Sequence, residues 1–197
     1  MSWKATLRIG LVCAGATSVR AADRFELVWP TPNTAWSQGK PSSQWLQHAG
    51  NGDPASGCFG GVRSGGTHFH EGIDIRPAAR DRRGEPLDNV LAAMPGVVRY
   101  INSTAGDSSY GRYVVVEHPS MTPAVHTLYA HLSAIDVKPD SKVKRGQTIG
   151  RSGQTGLAGG DHLHFTTLLQ GIPVNPVEWW DPHWIHDRIE AKLAPYR

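Results

Sequence analysis

His162-Leu163-His164-Phe165-Thr166-Thr167-Leu168-Leu169 alternates at a period of two and reads as a β-strand. Residues two apart on a strand project from the same face. His162 and His164 can therefore look into one site while Leu163 packs on the opposite side. Two neutral imidazoles otherwise have little reason to share a sheet face, so the stretch points to a strand that carries a metal site.

Outward from this strand the same grammar repeats. Gly96-Val-Val-Arg-Tyr-Ile101, Arg112-Tyr-Val-Val-Val-Glu-His118 and His126-Thr-Leu-Tyr-Ala-His131 are further strand candidates. Turn-forming clusters separate them: Asp107-Ser-Ser-Tyr-Gly111, Lys144-Arg-Gly146, Ser152-Gly153 and Gly159-Gly160. Gly 22 and Pro 14 make up about 18% of the 197 residues, which favours turns and short strands over long helices. The spacing predicts an all-β fold, a mainly antiparallel sheet domain with long connecting loops, over residues 56–180. Residues 22–55 read as an N-terminal extension wrapped on that domain, because Phe25, Leu27, Val28, Trp29, Trp36 and Trp45 need burial. Residues 181–197 read as a short C-terminal helix: Asp181 can cap it, Pro182 suits its first position, and Ile185, Ile189 and Leu193 recur every four residues.

Three short motifs carry the chemistry. In His70-Glu71-Gly72-Ile73-Asp74 a His and an Asp four apart offer one nitrogen and one oxygen ligand, with Gly72 letting the backbone turn between them. Tyr129-Ala130-His131-Leu132 places another His at the end of a strand, and His162-Leu163-His164 supplies a pair. Three protein ligands of N, N and O type, with a fourth position left for water, suit a catalytic zinc; a structural zinc is closed by four protein ligands. Two further His beside the metal could accept the water's proton and hydrogen-bond a tetrahedral oxyanion.

In this order the motifs resemble those of the lysostaphin/LytM-type zinc endopeptidases. That family's signature is an HxxxD, a later His in a Tyr-x-His-Leu context and a final HxH, matched here by Phe69 to Asp74, Leu128 to Leu132 and His162 to Phe165. Tyr110 to His118, Val143 to Gly150, Gly153-Gln-Thr-Gly156 and Val174-Asn175-Pro176 resemble the intervening text, so the likeness runs from about Cys58 to Trp180. The resemblance implies one zinc per chain held by His70, Asp74 and His164. It implies catalytic roles for His131 and His162, with His162 as general base and His131 steadying the transition state. It further implies a β domain with the metal at the floor of a groove, and peptides of bacterial peptidoglycan as the substrate.

Two positions depart from the family's commonest pattern: Asp161 precedes HxH where Pro or Ser is frequent, and Thr166 follows His-Phe where Glu is frequent. Neither is a ligand, but both could tune the site. His68 reads as a groove-lining or surface residue, His118 and His126 as structural, and His183 and His186 as chance neighbours. Trp179, Trp180 and Trp184 suit either packing of the tail or stacking on sugars. Arg76, Arg80, Arg82 and Arg83 mark a solvated turn or a groove-edge loop. Family domains that have lost zinc serve as modules activating other wall hydrolases, which is the alternative function. Val143 to Gly150 also resembles swinging-arm and sugar-transport β domains, but those lack the HxxxD and HxH pair.

The net charge of +3 belongs to the N-terminus. Lys4, Arg8 and Arg20 lie in the first 21 residues, and their removal leaves 17 basic against 17 acidic side chains. A neutral remainder argues against nucleic-acid binding, which needs a basic face. Lys4 and Arg8, the apolar run from Ile9 to Val19, and Val19-Arg20-Ala21 read as a signal peptide over residues 1–21. The chain is thus expected to be exported to the periplasm, envelope or medium as a monomer, with no membrane insertion once the signal is removed. Of the two Cys, Cys13 falls in that segment, which leaves Cys58 as a small buried hydrophobe.

Overall fold

The computed structural model describes residues 27–49 and 53–180. The expected signal segment, Phe25, and the tail helix with His183, Trp184 and His186 lie outside the described residues. Twelve strands follow in chain order: β1 (Val62–Arg63), β2 (His68–Phe69), β3 (Ile73–Ile75), β4 (Asn89–Leu91), β5 (Gly96–Asn102), β6 (Tyr113–His118), β7 (Val125–Ala130), β8 (Ala134–Ile135), β9 (Lys142–Val143), β10 (Thr148–Arg151), β11 (Leu163–Leu169) and β12 (Ile172–Val174). Short 3-10 turns are the only helical elements among the described residues. The fold is all-β and antiparallel, as the alternating runs predict.

The main sheet runs β12-β11-β7-β6-β5-β9, and β3 also pairs with β11. β11 is thus central: β7 lies along one edge, while β3 and β12 share the other, opposite residues 163–165 and 167–169. A small sheet, β4-β10-β8, and the β1–β2 hairpin complete the topology. The core forms where alternate side chains meet. Ile73, Ile75, Val98, Val114, Val116, Tyr129, Ile149, Leu163 and Phe165 are fully buried and form one cluster. β6 shows the alternation directly, with Val114, Val116 and His118 buried on one face.

A second, polar chain is also buried. His118 bonds the Pro95 carbonyl through Nδ1 (2.9 Å) and the Thr127 hydroxyl through Nε2 (2.9 Å). Thr127 in turn bonds the Tyr129 hydroxyl (3.0 Å), which accepts the Ala93 N–H (2.8 Å). His118 is therefore structural, and burial lowers its pKa below the ordinary value.

The segment before β1 runs against the main sheet. Gln47 N–H donates to the Asp74 carbonyl and Arg76 N–H to the Trp45 carbonyl, which adds Leu46 as a bridge partner of Ile75. Trp29 stacks on Trp36 with centroids 5.0 Å apart and meets Trp45 and Trp180 edge-on. Trp180 also lies 5.7 Å from Phe165, so its ring is engaged in packing rather than presented to solvent.

Candidate metal centre

Register decides how the three motifs meet. Asp74 on β3 is the cross-strand partner of His164 on β11, and His164 is in turn opposite Ala130 on β7, one residue before His131. Residues facing each other across an antiparallel pair share a face. Asp74, His162 and His164 therefore project together, while Ile73, Ile75, Leu163 and Phe165 point into the core with no exposure. β3 approaches β11 closely enough that a Cβ on Gly72 would lie 2.3 Å from the Phe165 carbonyl oxygen. Gly72 is thus required by space between the strands rather than by a turn, which refines the reading of HxxxD.

His70 is set by the hairpin. Its N–H donates to the Gly61 carbonyl and its carbonyl accepts from Gly60, both at 2.8 Å, extending the β1–β2 ladder. His70 Nε2, Asp74 Oδ1 and His164 Nδ1 then lie 3.0 Å from one another. His70, Asp74 and His164 are buried and form the one group of His, Cys, Asp and Glu among the described residues with metal-ligand spacing.

The outer hydrogen bonds explain why this triangle suits a cation. His70 Nδ1 meets the Cys58 carbonyl (2.9 Å), which can only accept, so Nδ1 carries the hydrogen and Nε2 presents a lone pair. His164 Nε2 is bonded to the Thr166 hydroxyl (2.9 Å), which accepts its hydrogen when Nδ1 is free. Two imidazole lone pairs and a carboxylate oxygen thus converge with only a proton or a metal able to reconcile them. Zinc bonds of about 2.0–2.2 Å to N and O fit donors at this separation. Thr166 thus fixes the ring of His164.

His131 and His162 stand beside the triangle, their rings 4.6 Å apart. Both are buried. His131 follows β7 with φ 61°, a left-handed conformation that costs a non-glycine residue about 1–3 kcal/mol. It is held there by its N–H to the Tyr110 carbonyl (2.9 Å) and its Nδ1 to the Thr155 carbonyl (2.8 Å). His162 Nδ1 meets the Gly160 carbonyl (2.7 Å), leaving its Nε2 3.3 Å from Asp74 Oδ1. Each ring therefore turns Nε2 towards the site. Burial, aided by His162 and His164, takes His131 down to about 3. Burial also works against a charged His162, but Asp74 and the Gly160 carbonyl outweigh it and raise its pKa. Burial likewise opposes the charge on Asp74, yet His162, His164 and His70 hold its carboxyl well below the usual range.

The five residues line a cleft of about 450 Å³ with Gln47, His48, Arg63, His68, Phe69, Glu71, Tyr110 and Leu157 among its walls. His68 is exposed on the wall and takes no place in the triangle. Asp161 is turned away into an ion pair with Arg80 (2.6 Å). Three wall features escape sequence reading. Arg63 donates to Asp74 Oδ2, Tyr110 bonds Glu71 and lies 5.4 Å from the His164 ring, and Gln47 and His48 reach the cleft from the N-terminal segment. No local spacing marks them, because docking of separate elements brings them to the cleft.

The sequence model of Peptidase family M23 matches residues 68–176. The DD-carboxypeptidase/endopeptidase Mpg of Neisseria meningitidis is 38% identical over 109 residues, 55% of this chain and 22% of that protein. The peptidoglycan DD-endopeptidase ShyA of Vibrio cholerae is 47% identical over 68 residues, 34% of this chain and 15% of that protein. The chain thus spans about a fifth or less of the length of these relatives. The catalytic domain of lysostaphin from Staphylococcus simulans superposes with a TM-score of 0.51 at 24% identity, covering 62% of this chain and 87% of that one, and so shares its fold.

Proposed function

The chain belongs to Peptidase family M23, and from that premise we propose that it is a zinc-dependent endopeptidase cutting peptide bonds in bacterial peptidoglycan. The observation that carries this reading is the 3.0 Å triangle of His70 Nε2, Asp74 Oδ1 and His164 Nδ1 on the floor of a cleft. We assign these three atoms as the ligands of one zinc per chain. Zinc bound there would lower the pKa of a water towards about 7 and polarise the scissile carbonyl.

The remaining work falls to the chain's own side chains. His162 takes the water's proton at Nε2, because its Nδ1–H is anchored on Gly160 and Asp74 Oδ1, 3.3 Å away, stabilises the imidazolium that results. His131 presents Nε2 to the same space. Steadying a developing oxyanion from there needs a proton on that nitrogen, and burial makes a facing negative charge the condition for carrying one. The bonds of His131 to the Tyr110 and Thr155 carbonyls hold the ring in the cleft despite its strained backbone.

Peptidoglycan as substrate is supported by the likeness to peptidoglycan DD-endopeptidases and by the export-type N-terminus, which together favour an envelope or extracellular site of action. The test is digestion of purified sacculi by the full chain, with released fragments identified by mass spectrometry, alone, with chelator, and as His164→Ala. Fragments from the untreated protein only are expected. Equal release by His164→Ala would remove the metal mechanism, and intact sacculi in every arm would favour a wall-binding module over an enzyme.

A further inference from the structure

Asp74 divides its two oxygens. Oδ1 faces three histidine nitrogens, at 3.0, 3.0 and 3.3 Å, whereas Oδ2 is met by Arg63 Nη2 at 2.7 Å. Arg63 lies on β1 opposite His68, two residues beyond Gly61, which pairs with His70. On a period-two ribbon this sets Arg63 and His70 on the same face, so one hairpin delivers both a ligand ring and the guanidinium. Arg63 Nε is also buried and has no hydrogen-bond partner among the described residues. The guanidinium is therefore placed for one carboxylate oxygen while its buried Nε–H goes without a partner, which is not how a side chain settles when only its own pairing matters.

We infer that Arg63 is a positioning residue that confines Asp74 to one-oxygen ligation and so keeps a coordination position open for substrate; this rests on the metal-centre reading above. With Arg63 in place, Oδ2 is engaged and only Oδ1 faces the triangle. Without it, Oδ2 is a buried carboxylate oxygen lacking a donor, and rotation of the carboxylate turns it towards the cation. A second oxygen there adds a donor to the set and crowds the position that a catalytic site leaves for water, raising the coordination number. The guanidinium charge also withdraws electron density from the carboxylate, which leaves the cation a stronger Lewis acid.

The experiment loads the full-length protein with Co2+ in place of zinc and records its visible absorption, which reports coordination number. The variants are Arg63→Met, the milder Arg63→Gln and Arg63→Lys, with folding followed by thermal melting. The wild type is expected to show intense four-coordinate bands. Arg63→Met and Arg63→Gln are expected to lose band intensity and, with zinc, to lose about 10–100-fold in kcat with KM little changed, and Arg63→Lys to recover part of both. Should Arg63→Met not fold, the Arg63→Gln spectrum decides. Neutral variants with the wild-type spectrum would overturn the role of Arg63 while leaving the metal centre intact. A wild type that binds no Co2+ would overturn the metal centre itself, and this inference with it.

Discussion

His164 and Asp74 are direct cross-strand partners, and His164 Nδ1 lies 3.0 Å from Asp74 Oδ1. Ninety residues of chain separate them, so the site exists only when β3 is docked on β11. A one-residue slip of β3 in that register would send Asp74 towards the core and bring Ile73 or Ile75 to the cleft side beside His164.

The first prediction concerns the ligands. His164→Ala and Asp74→Asn, dialysed against zinc and assayed for bound metal, are expected to retain far less than the stoichiometric ion. Hydrolysis should fall by about 1,000-fold or more, because the water and carbonyl lose their activating charge. Full zinc occupancy in both variants would show that the ion sits elsewhere.

Gly72 tests the strand approach. A Cβ there meets the Phe165 carbonyl oxygen at 2.3 Å and Thr166 Oγ1 at 2.6 Å. Gly72→Ala is expected to destabilise the protein by about 1–3 kcal/mol, the usual range for overpacking. Urea unfolding would measure it, and an unchanged midpoint would contradict the close packing of β3 on β11.

Phe165 is fully buried on the reverse of the strand that bears His164, against Tyr129 at 5.2 Å and Trp180 at 5.7 Å. Phe165→Ala is expected to cost about 3–5 kcal/mol. Thermal melting with and without zinc should show the loss in both states, since the side chain acts through the core.

His118 provides a pH test away from the metal. Burial depresses its folded-state pKa, partly offset by the Pro95 carbonyl, with His126 lowering it and Glu117 raising it. The unfolded chain, with an ordinary His near 6.5, therefore binds its proton first as pH falls. The contribution of His118 is fully present above about pH 6.5 and is lost progressively below it. Urea titrations in chelator from pH 7.5 to 5 should show stability falling for the wild type and a shallower decline for His118→Gln. Parallel slopes would place the acid sensitivity in other groups.

Much of the architecture was legible because it rests on local periodicity. The β-branched runs Gly96–Ile101 and Arg112–His118 and the period-two runs His126–His131 and His162–Leu169 each mark a strand, and each lies within a residue of a strand of the main sheet. HxH on a strand likewise required His162 and His164 to share a face, and the ordered motifs named the five residues that meet in the cleft.

What the chain's pattern could not supply were contacts whose partners are set by docking rather than spacing. Arg63 is one basic residue in a turn-rich stretch, and nothing local marks it as facing Asp74. Its direction follows from the β1–β2 pairing and the seating of that hairpin beside β3. The same holds for Gln47 and His48, brought to the cleft by an edge contact between Leu46 and Ile75, and for Tyr110, brought over His164 by a loop. Side-chain periodicity is a property of a single strand and is therefore written in sequence. Register between distant strands, and the hydrogen bond of Arg63 to one particular carboxylate oxygen, arise only when the whole sheet closes around a shared core.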